Sequence, residues 1–201
     1  QISIKVAILY ASILCLFALY VLLNFNQFTV ILALGSMPLA FTYPLMKRFT
    51  YWPQLFLGIT FNYGLILGWT AIKGEIDIIP IIFYLGAIFW TLGYDTIYGY
   101  QDIKDDEIIG LKSTSIKFKG NEKKFLFICY TLLLILFLIG GYLMKFNNIY
   151  YLLTIIPFLH LFFYQMKIFK SKDSKSCLKV FKSNNMFGLI IFLNILIIKN
   201  I

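Results

Sequence analysis

Five of the nine acidic residues, Asp95, Asp102, Asp105, Asp106 and Glu107, crowd into one short stretch that follows directly on an apolar run. The stretch reads Tyr94-Asp95-Thr96-Ile97-Tyr98-Gly99-Tyr100-Gln101-Asp102-Ile103-Lys104-Asp105-Asp106. If the helix before it runs on past the membrane surface, Asp95, Asp102 and Asp106 fall on one face within about 40° of arc, with Tyr98 beside them. Like charges stacked in this way repel, and more so when partly buried. A carboxylate at the end of an apolar span is costly unless paired or functional, so the cluster points to a bound cation. Oxygen ligands with no His or Cys favour Mg²⁺ over zinc. The alternative is a solvated acidic loop.

Just beyond lies Gly110-Leu111-Lys112-Ser113-Thr114, a glycine followed by a cation and two hydroxyls. That order fits a loop folding over a phosphate-bearing ligand. Lys47 and Arg48 add positive charge from another connection on the same side. Carboxylates with Mg²⁺, together with Lys and Arg at one mouth, are the parts needed to grip a diphosphate. By themselves Lys47 and Arg48 would equally serve as ordinary anchors of a membrane helix.

These groups are positioned by apolar segments. Seven can be delimited, roughly 4–23, 28–46, 53–72, 76–94, 125–144, 149–168 and 186–198. With 60% hydrophobic, 19% aromatic and 13% charged residues, the chain lies far from a soluble composition. Lipid cannot satisfy backbone polar groups, so the segments must be helices packed together. The expected fold is all-α, a single polytopic transmembrane bundle over residues 1–201.

The net charge of +9 comes from lysines confined to the connections between apolar runs, which excludes a nucleic-acid-binding role. With seven spans, all 18 Lys and Arg residues except Lys73, Lys145 and Lys199 fall on one side. That side is expected to face the cytoplasm. Cys15, Cys129 and Cys177 have no partner at metal-ligand spacing and read as packing residues. His160, the single histidine, lies inside an apolar run and reads as a satisfied buried side chain.

Tyr94-Asp95-Thr96-x-Tyr98, then Gln101-Asp102-x-x-Asp105-Asp106 and Gly110-x-Lys112-Ser113-Thr114, resemble the second aspartate-rich motif of the UbiA prenyltransferases. The nearest branch of that family acts on 4-hydroxybenzoate in ubiquinone synthesis. Thr42-Tyr43-Pro44-Leu45-Met46-Lys47-Arg48-Phe49-Thr50 with Pro53-Gln54 resembles the family's basic turn. Cys177-Leu178-Lys179-Val180-Phe181 with Asn184-Asn185 and Gly188 resembles its C-terminal segment.

The resemblance implies nine helices around a cavity, two aspartate-rich motifs holding Mg²⁺-diphosphate, and a bacterial or mitochondrial inner membrane with the site facing cytoplasm or matrix. No residue before Glu75 is acidic, so the first motif has no counterpart, and the chain is expected to begin after it. The implied reaction is C-prenylation of 4-hydroxybenzoate by a polyprenyl diphosphate. Asp102 and Asp106, with Asp95 nearby, would hold the metal, and Lys112 and Lys47 would add charge to the diphosphate. Arg48 is a candidate for the benzoate carboxylate and equally for the diphosphate. Tyr43, Phe61 and Tyr98 are candidate π faces for a carbocation. Asn184 and Asn185 would line the mouth or cap the last helix.

Three rivals compete with this expectation. One is a related prenyltransferase with another aromatic acceptor, and another is a non-catalytic remnant. The third is a cation transporter, which would carry its carboxylates near the membrane midplane instead of clustered at one end.

Overall fold

The computed structural model describes residues 2–199, and these form helices joined by short turns. Seven helical spans are long and apolar enough to cross a membrane, as the apolar segments predict, so the chain is an integral membrane protein. α1 (Ile4–Leu22) starts at an N-cap in which Ser3 accepts from the Val6 N–H, and none of its residues is buried. α2 (Gln27–Thr42) continues through a 3₁₀ turn (Tyr43–Leu45) into α3 (Met46–Phe49). The second span therefore reaches past the expected residue 46. Pro44 sits in the first turn of the 3₁₀ segment, where its missing N–H costs nothing.

The third span is two helices, α4 (Pro53–Phe61) and α5 (Gly64–Lys73). Asn62 lies at their junction, and its amide donates to Gly58 O, Ala87 O and Thr91 Oγ1. A side chain that bonds the carbonyls around it competes with the regular backbone ladder. Gly74 closes α5 at φ +74°, a left-handed position suited to glycine.

α6 (Ile78–Gly99) is the centre of the bundle and lies against α4, α9 and α12. α7 (Ile103–Ile109) and α8 (Thr114–Lys117) occupy the connection to α9 (Glu122–Leu143). Gly93 lets α6 approach α9 closely, since a Cβ there would stand 3.0 Å from the Tyr130 ring. The sixth span comprises α10 (Asn148–Leu159), a π-helical stretch (His160–Gln165) that follows Pro157, and α11 (Met166–Ile168). α12 (Ser174–Lys199) ends the described residues.

α12 starts well before the apolar stretch at 186. Its early turns carry Lys175, Lys179, Lys182 and Ser183, which hide the span from a hydropathy reading. Helical spacing nevertheless turns Cys177, Val180, Asn184 and Phe187 inward, and all four are buried.

The three basic connections lie at one end of the bundle. The Lys112 backbone N–H donates to Lys47 O at 2.8 Å, joining the α6–α9 connection to the 46–52 turn. The Tyr100 and Phe169 rings, 5.7 Å apart, join it to the turn before α12.

Candidate functional site

The acidic segment does not continue α6. The helix stops at Gly99, Tyr100 caps it, and a new helix starts at Ile103. Asp95, Asp102 and Asp106 therefore do not share one face of a continuous helix. Gly99 packs so tightly that an added Cβ would collide with Ser115 Oγ and stand 3.3 Å from Gln54 Nε2. The chain turns where α4 and α8 press against α6.

Asp95 stays on the last turns of α6, half-buried. Asp102 is exposed at the start of α7 and makes no side-chain capping bond. Asp106 is turned inward, and its Oδ2 lies 3.1 Å from Lys47 Nζ. Among the described residues no group of three or more His, Cys, Asp or Glu side chains gathers to hold a metal. Mg²⁺ rarely needs such a cage: it keeps several waters and takes one or two carboxylates plus substrate phosphates. Asp102, open to solvent, and Asp106, on the same short helix, fit that use.

Two of the basic residues, Lys47 and Lys112, meet through the backbone from connections far apart in sequence. Lys112 donates its backbone N–H to Lys47 O and its ammonium to Phe49 O at 3.3 Å. The same ammonium lies 5.7 Å from the centre of the Tyr51 ring. Gly110, at φ +79°, reverses the chain after α7 and delivers Lys112 to this turn. Arg48 is exposed on α3 beside Lys47. Tyr98 is exposed and packs on the Phe181 ring of α12 at 4.7 Å. Tyr43 is half-buried, whereas Phe61 is 70% exposed on α4.

The hydroxyls expected to meet a phosphate are used inside the protein. Ser113 Oγ accepts from the Ile116 N–H and starts α8. Thr114 Oγ1 lies 2.6 Å from Thr96 Oγ1, and Ser115 donates to Thr96 O at 2.8 Å. Gln54 Oε1 accepts the Thr114 N–H at 3.0 Å. All of Ser113, Thr114, Ser115 and Thr96 are shielded from solvent. This knot ties α8 back to the end of α6, so residues 100–112 form a loop whose two ends are pinned together. Sequence reasoning assigned Gln54 and Thr96 no role; the signal was polar side chains at the edges of apolar spans.

Asn184 caps no helix. It lies within α12 and is buried, and its Oδ1 accepts from Trp90 Nε1 at 2.9 Å and Gln165 Nε2 at 3.2 Å. Gln165 Oε1 in turn accepts from the Tyr130 hydroxyl at 2.6 Å. Asn184 thus cross-links α6, the π-helical stretch and α12, while its neighbour Asn185 is exposed. His160 has the expected partner, standing 3.3 Å from Ser183 Oγ, but is half-buried instead of buried. Cys129 and Cys177 are buried, whereas Cys15 is exposed on α1 and packs no core.

Known proteins with this pattern agree on one family. The chain matches the UbiA prenyltransferase family over residues 1–195. It is 45% identical over 187 residues to a mitochondrial 4-hydroxybenzoate polyprenyltransferase of Bos taurus, covering 90% of this chain and 48% of that protein. The protein of the same name in Drosophila melanogaster is 39% identical over 200 residues, covering 98% of this chain and 50% of its own. The chain spans about half the length of these curated relatives. In fold it is similar to the apo structure of a UbiA homolog from Aeropyrum pernix K1, with TM-score 0.79 at 19% identity. That likeness covers 96% of this chain and 74% of the other. A digeranylgeranylglyceryl phosphate synthase gives TM-score 0.69 at 21% identity, over 96% and 69% of the two chains. With the family matched across almost its whole length and the helical architecture shared, the chain belongs to the UbiA prenyltransferase family.

Proposed function

We propose that this protein takes part in prenyl transfer from a polyprenyl diphosphate to the ring of 4-hydroxybenzoate, in ubiquinone biosynthesis. One observation carries the proposal: the Lys112–Lys47 backbone bond brings Lys47, Arg48 and Lys112 to the segment that bears Asp102 and Asp106. Cations and carboxylates meet at one end of an apolar bundle. A diphosphate ester with a long isoprenoid tail needs both environments, one wet and charged, the other apolar.

Asp102 and Asp106 are the residues that would hold Mg²⁺, with Asp95 nearby. When bound there, Mg²⁺ supplies charge that neutralises the diphosphate as a leaving group. Lys47 and Lys112 orient the same group and add to its neutralisation, which favours ionisation of the allylic C–O bond. Arg48, exposed beside them, offers a planar fork that matches the carboxylate of the acceptor. The tail would lie along the apolar bundle within the bilayer. The aromatic rings of Tyr98 and its neighbours on α6 and α12 offer π faces to a developing cation. Asn184 supports that wall from behind through Trp90. The host would be a bacterial or mitochondrial inner membrane, with the acidic loop on the cytoplasmic or matrix side.

The test is transfer of a labelled polyprenyl diphosphate to 4-hydroxybenzoate in membranes that carry the protein, with and without Mg²⁺. Mg²⁺-dependent transfer that Asp102→Ala and Asp106→Ala each abolish is the expected result. Transfer that survives both substitutions would remove the acidic segment from the mechanism. Transfer to a different aromatic acceptor only would keep the chemistry and change the substrate.

A further inference from the structure

At the same end of the bundle a cavity of about 440 Å³ opens between the α6–α7 turn, the start of α9 and the start of α12. None of Lys47, Arg48, Lys112, Asp95, Asp102 or Asp106 lines it. Its walls include Lys104, Lys119 and Lys172, with Glu122 as the acid. Lys119 is paired with Glu107 at 2.7 Å and Lys172 stands in the field of Glu122, whereas Lys104 forms no ion pair within 4.0 Å among the described residues. Positive charge therefore exceeds negative charge around the opening.

Tyr100 and Gln101, two of the cavity's walls, bury the Tyr100 hydroxyl and the Gln101 amide nitrogen with no hydrogen-bond partner among the described residues. Tyr100 as a whole is only 4% exposed. Buried polar atoms without partners are costly, and both of these are donors, so a small turn of either side chain toward the opening is favoured once an oxygen-rich anion stands there to accept from it.

We propose that this cavity binds a phosphate group, supplied by an anionic phospholipid. It lies where the apolar spans α6 and α9 end, beside the basic early turns of α12, which is the level of lipid headgroups. Basic pockets between membrane helices at that level suit a charged headgroup. Lys104 stands about 160° around α7 from Asp106, so the bound headgroup braces the acidic loop from the side opposite Lys47.

The experiment is native mass spectrometry of the protein released from nanodiscs containing phosphatidylglycerol. A parallel arm uses phosphatidylcholine nanodiscs with inorganic phosphate added. One retained phosphatidylglycerol is expected per chain. The retained lipid should be lost in Lys104→Gln/Lys172→Gln and weakened in Tyr100→Phe, which changes no charge. Lys123→Gln/Lys124→Gln, equal in charge and outside the cavity, should retain it. Binding of inorganic phosphate with no retained lipid would overturn the lipid source. Equal retention in all variants, or none in either arm, would overturn the site itself.

Discussion

The hydroxyls of Thr96 and Thr114 lie 2.6 Å apart inside the bundle, both shielded from solvent, at the point where the acidic loop leaves α6 and returns to α8. Thr96 also donates to Leu92 O at 2.6 Å, so its single proton is committed and Thr114 must be the donor between them. Direction matters here, because the two positions then respond differently to substitution.

Thr96→Val removes the acceptor and leaves a buried Thr114 O–H without a partner, at a cost of roughly 1–3 kcal/mol. Thr114→Val leaves Thr96 still bonded to Leu92 and should cost less, about 1 kcal/mol. The double variant should fall short of the sum, because the two side chains are coupled. Thermal unfolding midpoints in micelles, followed by circular dichroism, would give this order. Equal effects would show that the proton is arranged otherwise.

Gly99→Ala places a methyl group against Ser115 Oγ, which can swing aside only by giving up its bond to Thr96 O. Overpacking of this kind typically costs roughly 1–3 kcal/mol. Ser115→Ala removes the colliding atom, so the double variant should be more stable than Gly99→Ala alone. A chain that tolerates Gly99→Ala with an unchanged unfolding midpoint would contradict the tight approach of α8 to α6.

Asp102 and Asp106 should separate function from stability. Asp102 is exposed, so Asp102→Asn should leave the unfolding midpoint unchanged while transfer falls at least roughly 100-fold, the loss typical of a charge-stabilising group. Asp106→Asn should lower both, because it strands Lys47, whose ammonium lies 3.1 Å from the carboxylate. Midpoints and transfer rates measured on the same membrane preparations decide it. A fall in midpoint for Asp102→Asn would mean that this carboxylate serves the fold.

Gln165→Leu should destabilise by roughly 1–3 kcal/mol, because it leaves the buried Tyr130 hydroxyl without an acceptor. Adding Tyr130→Phe should recover part of that loss, since the orphaned group is then gone. Unfolding in denaturant, monitored by tryptophan fluorescence, provides the comparison. No recovery in the double variant would locate the effect in the π-helical backbone instead.

Much of this architecture was legible in the residues one after another. Apolar runs of membrane length, lysines gathered into alternate connections, and Asp102, Asp106 and Lys112 in one segment are properties of neighbouring positions. Hydropathy and charge add up locally, so they determine the spans and their common sidedness without any knowledge of packing. The family resemblance rests on the same short segments.

What only the tertiary structure decided is where each polar side chain spends its hydrogen bonds. Ser113 and Thr114 suit a phosphate by type, yet α6 and α4 lie close enough to claim Thr114, while Ser113 caps α8. The face shared by three aspartates required a continuous helix, and α6 stops at Gly99, where Ser115 packs against it. Asn184 is bonded to Trp90, 94 residues away, and Lys47 to Asp106, 59 residues away. A side chain's partner at such separations depends on which helices touch and at what height. No local pattern carries that information, because it arises when the whole bundle packs.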